Sequence, residues 1–174
     1  QNYDGIFDLK KIDTSNLKNQ IEGFLISNNG EGIIINEKIT KGVLLRGYKK
    51  EEFQSLNIVK NQDFSGSKIL DKSGISISRE LGYDLDLKIG DKLSLVFSSF
   101  EETLIGSLPK QKTFKISSFY NSGFNDFDKN IAFVNIEDLE NQLNLTPDSR
   151  FLEIYFKDPT DINKIKKDLI NFFP

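Results

Sequence analysis

Lys92-Leu93-Ser94-Leu95-Val96-Phe97, answered further along by Phe114-Lys115-Ile116-Ser117-Ser118, is the part of the sequence that decides the fold. Leu93, Leu95 and Phe97 recur at every second position, as do Phe114, Ile116 and Ser118. A period of two places those side chains on one face of an extended chain, so both segments read as half-buried strands of one hairpin. Some 16 residues separate them, where an economical hairpin connection takes about 2–5. That connection, residues 98–111, carries Leu104, Ile105 and Leu108 beside Gly106 and Pro109. Apolar side chains on a projecting loop have no core to enter, so their exposure points to something they bind. Pro109 restricts the chain and lowers the entropy lost when it is ordered. The alternative is that residues 98–111 fold back and serve only as packing.

Working outward, Ile21–Ile26 reads as a strand and Asn28-Asn29-Gly30 as a tight turn, because Asn and Gly tolerate positive φ. Ile33-Ile34-Ile35 and Val43-Leu44-Leu45 form a second hairpin, Lys49–Leu56 a short helix, and Asn61–Ser67 a polar loop. Gly74–Ser78 is a strand running into helical turns at Arg79–Gly82, and 87–91 turns into the Lys92 strand. After a loop around Gly123 come a strand at Ile131–Val134, a helix at Ile136–Leu143 and a strand at Phe151–Phe156. Glu137 and Asp138 sit in that helix's first turn, where its dipole favours acids. Asp158-Pro159 then opens a helix with Ile162, Ile165, Leu169 and Phe172 on one stripe. This order of elements predicts an α+β domain with a β-rich middle.

Composition narrows the function by exclusion. The chain has 174 residues, enough for one sizeable domain. Its formal net charge is -3, which argues against a nucleic-acid role. With no His and no Cys, neither a Ser–His–Asp nor a Cys–His site can be built, and the usual transition-metal ligands are missing. The closest acidic pairs, Asp126 with Asp128 and Glu101 with Glu102, read as solvated surface charge rather than a catalytic pair. Asp84, Asp86 and Asp91 do not match a calcium loop, and Gly5, Gly23, Gly30 and Gly32 form no phosphate-binding fingerprint. Catalytic residues, metal ligands and a cofactor are therefore not expected. Arg46 reads as a structural cation, and Phe124 and Phe127 either cover the sheet or extend a binding surface. No apolar run approaches the roughly 20 residues that span a bilayer. The sequence contains no Met and starts at Gln1, so it is expected to be part of a longer protein whose membrane anchors lie outside it.

Four segments, in order, carry a resemblance. Val43-Leu44-Leu45-Arg46-Gly47-Tyr48 with Glu51-Glu52 is the first, and Gly74–Leu81 leading to Leu87-Lys88-Ile89-Gly90-Asp91-Lys92-Leu93 the second. Thr103-Leu104-Ile105-Gly106-Ser107-Leu108-Pro109-Lys110-Gln111-Lys112-Thr113-Phe114 is the third, and Ala132-Phe133-Val134-Asn135-Ile136-Glu137-Asp138 the fourth. Together they resemble the periplasmic domain of LolC/LolE-type lipoprotein-releasing permeases, a group related more distantly to MacB-type and FtsX-type transporters. The resemblance implies a MacB-like periplasmic core domain. Its mixed α/β subdomain comes from both chain ends (about 1–40 with 136–174), and its β-rich subdomain (about 41–135) carries a hook hairpin at 98–112. It also implies a non-catalytic domain on the periplasmic side of the bacterial inner membrane, with ATP hydrolysis in a separate cytoplasmic subunit. The expected partners are a LolA-like carrier, a lipoprotein substrate and a sister permease subunit. The carrier would meet Thr103, Leu104, Ile105, Gly106, Ser107, Leu108 and Pro109, with Gln111 and Lys112 in a polar pad at the base. In that pattern Lys112 replaces an Arg, keeping the charge but losing the planar fork. A MacB/FtsX-like domain that binds an adaptor or a cell-wall hydrolase is the alternative.

Overall fold

The structure, a computed structural model, describes residues 21–35 and 39–158. The opening segment before Ile21 and the amphipathic helix expected after Pro159 lie outside the described residues. The chain divides into two compact units, residues 1–26 with 147–174, and residues 27–146.

The larger unit is organised by strand pairing that closes on itself. Strand β1 (Ile21–Ile35) pairs antiparallel with β2 (Thr40–Tyr48) on one side and, through Gly32–Ile34, with β5 (Lys92–Thr103) on the other. From β2 the pairing continues parallel to β7 (Ile131–Asn135), antiparallel to β4 (Gly74–Ser78), parallel to β6 (Gly106–Tyr120) and antiparallel back to β5. A two-residue strand β3 (Ser65–Gly66) adds to β6. Each of the six ring strands has a partner on both sides over part of its length, which removes the usual template for edge-to-edge association there. The alternation read from the sequence has its cause here. Leu93, Leu95, Phe97, Phe114 and Ile116 all point inward, against Ile34, Leu45, Ile75, Ile77, Ala132 and Val134, and all are essentially buried.

Short helices plug and flank the ring. Within the span expected as a helix, Lys49–Leu56, there is only a 3-10 turn (Glu52–Ser55), and α1 (Asn57–Lys60) follows just beyond it. Helix α2 (Arg79–Asp84) starts where Ser78 Oγ accepts the Leu81 N–H at 3.0 Å. Helix α3 (Asn125–Asn130) forms just beyond the Gly123 loop, and α4 (Ile136–Leu143) follows β7 directly. Asn135 caps α4, with Oδ1 accepting the Glu137 N–H and Nδ2 donating to the Leu70 carbonyl, both at 3.0 Å. On the far side of β7, Phe133 packs against Tyr48, Phe53, Tyr120 and Phe127, with ring centroids 5.1–6.3 Å apart.

The smaller unit has its own apolar cluster, in which Ile21 packs with Phe24 of β1 and with Leu152, Ile154 and Phe156 of β8 (Phe151–Phe156).

One expected turn is corrected. Asn28-Asn29-Gly30 lies in the middle of β1, opposite Gly47, Arg46 and Leu45 of β2. Asn28 is buried and its Nδ2 donates to Glu140 Oε1 of α4 at 3.2 Å, while a Cβ at Gly30 would collide with Leu143. The residues that look like turn formers are small and polar because a helix crosses the strand there.

Candidate docking site

Residues 98–113 do not form a loop. Strands β5 and β6 remain paired far beyond the ring, from Val96 opposite Gln111 out to Thr103 opposite Gly106, and make a two-stranded arm. The register slips once, between Val96 and Phe100, where Phe97, Ser98 and Ser99 stand against Lys110 alone. A bulge of this kind bends and twists a ribbon. It falls where β5 leaves the ring: Phe97 is still buried and pairs with Gly32 of β1, whereas Phe100 is exposed.

Helix α4 holds the root of the arm. Ser99 Oγ donates to the Gln142 carbonyl, and Lys110 Nζ donates to the Asn141 carbonyl at 2.8 Å and to Asn144 Oδ1 at 2.6 Å. A cation at a helix C-terminus is favoured by the dipole and satisfies carbonyls left without intrahelical donors. Lys112, two residues further into the ring, reaches Asp138 Oδ1 in the first turn of the same helix at 2.5 Å and lies 5.4 Å from the Phe114 ring centroid. The other Asp138 oxygen accepts the Ser73 N–H at 2.5 Å. Both ends of α4 are thereby tied to β6.

The tip is a reversal of two residues. Leu104 and Ile105 connect Thr103 to Gly106, and neither has positive φ; Gly106 takes it instead, at +121°. Thr103 Oγ1 donates to the Gly106 carbonyl at 2.6 Å and accepts the Ile105 N–H at 3.3 Å, which fixes the turn. Leu104 is 108% exposed and Ile105 86%. Below them Ser107, Leu108 and Pro109 are also exposed, as are Phe100, Glu101 and Glu102 on the facing strand. The structure therefore brings Thr103 to Pro109 together at the end of the arm. It places Gln111 on the exposed face at the root and Lys112 on the ring wall, with its ammonium on Asp138. The sequence marks Glu101 and Glu102 only as solvated surface charge, and it does not single out Phe100 or the anchors Ser99 and Lys110 as site residues. Outside the ring the arm has no core to face, so no apolar alternation marks it.

The remaining candidates resolve locally. Asp128 is buried and accepts the Ser122 N–H with both oxygens, at 3.0 and 3.2 Å, closing the Gly123 loop. Arg46 lies 5.5 Å from the centroid of the Tyr48 ring. Phe127 packs on Tyr120 and Phe133, whereas Phe124 is largely exposed. Among the described residues no group of three or more acidic side chains is placed to hold a metal, and no helix is long and apolar enough to cross a membrane. A cleft of about 380 Å³ lies beside the arm's root between Gly32, Ile33, Leu44, Val96 and Phe97. Its walls are mostly apolar, with Glu31, Ser98 and Asn130 also lining it.

No family model matches the chain. Curated LolC proteins of Xylella fastidiosa, described as lipoprotein-releasing system transmembrane proteins, are 27% identical over a stretch that covers 59% of this chain. The stretch amounts to 28% of those relatives' own length. The fold aligns with the periplasmic region of MacB from Actinobacillus actinomycetemcomitans, with a TM-score of 0.55, 10% identity, and 97% of this chain and 73% of that one covered. By sequence the chain is LolC-like, and its fold is that of the MacB periplasmic region. The extracellular domain of the noncanonic ABC-type transporter YknZ from Gram-positive bacteria is a further structural match, with a TM-score of 0.54, 12% identity, and 95% of this chain and 79% of that one covered. The α+β architecture expected from the sequence is thus shared with the periplasmic region of MacB and the extracellular domain of YknZ.

Proposed function

We propose that this LolC-like domain works on the periplasmic side of the inner membrane, as part of a lipoprotein-releasing ABC permease, and docks a LolA-like carrier through the tip of the arm. The observation that carries the proposal is the pairing of full exposure with rigidity. Leu104 and Ile105 stand clear of any core, on a ribbon anchored to α4 by Ser99 and Lys110. Exposed aliphatic groups on an ordered element bind at a lower entropic cost than the same groups on a mobile loop. The domain contributes a contact surface and makes or breaks no bonds. ATP hydrolysis belongs to a cytoplasmic subunit and a sister permease completes the membrane part. The arm then hands over the released lipoprotein by holding the carrier close to it.

Calorimetry with the purified domain and the LolA-type carrier of the same organism tests this. Saturable binding lost in Leu104→Ser/Ile105→Ser, with the fold intact by circular dichroism, supports the role. A folded wild-type domain that gives no heat contradicts it. The structural likeness to MacB and YknZ keeps a second reading in play: a domain that binds an adaptor or a cell-wall hydrolase, favoured if the carrier is ignored.

A further inference from the structure

Lys92 and Lys115 stand directly opposite each other on β5 and β6, and two residues along the ribbon Ser94 stands opposite Thr113. Leu93, Phe114 and Ile116 point into the core, so these four side chains share the outer face of the ring. Directly opposed residues have Cβ atoms about 4.5–5.5 Å apart, and like charges placed there destabilise a sheet. Among the described residues neither lysine is ion-paired. Asp91, the acid beside Lys92 in the chain, accepts the Lys88 N–H at 2.8 Å. A lysine on a free strand edge guards against edge-to-edge association, and Lys92 has that explanation, since β1 reaches β5 only at Leu95–Phe97. Lys115 does not. There β6 is paired on both sides, with Lys92 and with Gly74 of β4.

We propose that Lys92, Ser94, Thr113 and Lys115 form a binding site for a phosphate group, carried by a lipid headgroup or free in solution. An oxyanion between the two ammonium groups turns their repulsion into two charge-assisted hydrogen bonds. The hydroxyls beside them supply a third donor: Ser94 Oγ and Thr113 Oγ1 are 2.8 Å apart, so one proton is used between them and the other is free to donate. Three donors on one face suit the several oxygens of a phosphate better than the two of a carboxylate. Lys88, exposed and also without an ion pair, adds positive charge from the turn that Gly90 and Asp91 bond to Ile116. The site lies at the ring end of the β5–β6 ribbon, away from the tip, and does not rest on the docking role proposed above.

Titration of the nitrogen-15-labelled domain with inorganic phosphate, at constant ionic strength because the charges are exposed, tests the inference by amide chemical shifts. Saturable shifts are expected at residues 92–94 and 113–115. Lys92→Gln/Lys115→Gln is expected to bind about tenfold more weakly, as charge-assisted hydrogen bonds give way to neutral ones. In phosphate-free buffer the same variant is expected to unfold at a urea concentration no lower than wild type, because a like-charge pair has been removed. A lower midpoint would show that the lysines serve the fold and would overturn the reasoning. Shifts of equal size in the double variant would mean an adventitious ion only, and no saturable shift in the wild type would sink the site. Co-sedimentation with vesicles of phosphatidylglycerol, against phosphatidylcholine alone, separates the two sources. Lysine-dependent capture by the anionic vesicles identifies a lipid headgroup, whereas phosphate binding without capture identifies the free ion.

Discussion

Replacing Lys112 by Met separates what holds the domain together from what the arm presents. Lys112 and Asp138 meet at 2.5 Å, with side chains 21% and 6% exposed. Removing one partner of a buried ion pair costs about 3–5 kcal/mol because the other charge is left without compensation. Two features of Asp138 reduce that figure: it keeps the Ser73 N–H and sits in the first turn of α4, where the dipole favours a carboxylate. Partial exposure of Lys112 reduces it further. The expected loss is about 2–3 kcal/mol, which for a chain of this length lowers Tm by roughly 4–12 °C. With no Trp in the sequence, urea unfolding followed by far-ultraviolet circular dichroism is the suitable assay. Lys112→Met/Asp138→Asn is expected to recover most of the loss, since it leaves no lone charge and the amide oxygen still accepts from Ser73. A Lys112→Met variant within about 0.5 kcal/mol of wild type would refute the reasoning. So would a double variant less stable than the single one. Because the ammonium faces Asp138 and not the tip, Lys112→Met is also expected to keep carrier affinity close to wild type wherever it remains folded.

Tyr120 is buried, and burial, with the charge of Asp128 a smaller cause, holds its phenol far above the usual 10.0. The folded chain therefore stays neutral there while the unfolded chain ionises. Stability from this group is complete below about pH 10 and falls as the pH rises past it. Tyr120→Phe, which loses the 2.7 Å bond to the Ile131 carbonyl, costs about 1 kcal/mol at neutral pH and flattens that alkaline decline, as unfolding at several pH values will show. Asn135→Ala removes the cap of α4 and leaves the Leu70 carbonyl without its donor, an expected loss of about 2 kcal/mol by urea titration. Lys110→Ala is expected to speed hydrogen exchange several-fold at the amides of residues 100–108 while leaving those of β4 and β7 unchanged; equal protection in both proteins would show that α4 does not steady the arm.

Local periodicity made most of the ring legible. Leu93, Leu95, Phe97, Phe114 and Ile116 announce their strands because each inward side chain meets the core and each outward one meets water. The α4 start was equally clear, since Glu137 and Asp138 in its first turn are dipole chemistry that depends on nothing distant. What depended on distance was hidden. Closure of the ring through Gly32–Ile34 and Leu95–Phe97 joins segments some 60 residues apart by backbone bonds that any sequence can make. Asn28-Asn29-Gly30 carried a turn signal that the crossing of α4 over β1 overrides. The site was half legible. Leu104, Ile105 and Leu108 stood out as hydrocarbon without a core, but a solvated ribbon has no buried face and hence no period, so the arm looked like a loop. Its anchors, Ser99 and Lys110, are ordinary surface residues until the end of α4 is placed beside them.

The measurement that tests the central claim most directly is the titration of the purified domain with its own organism's LolA-type carrier, wild type against Leu104→Ala/Pro109→Ala. The account predicts saturable binding by the wild type and a loss of at least about tenfold in the double variant, equivalent to roughly 1.4 kcal/mol, with unfolding curves that superimpose. Equal affinity of the two proteins, or no binding by a folded wild-type domain, would contradict it.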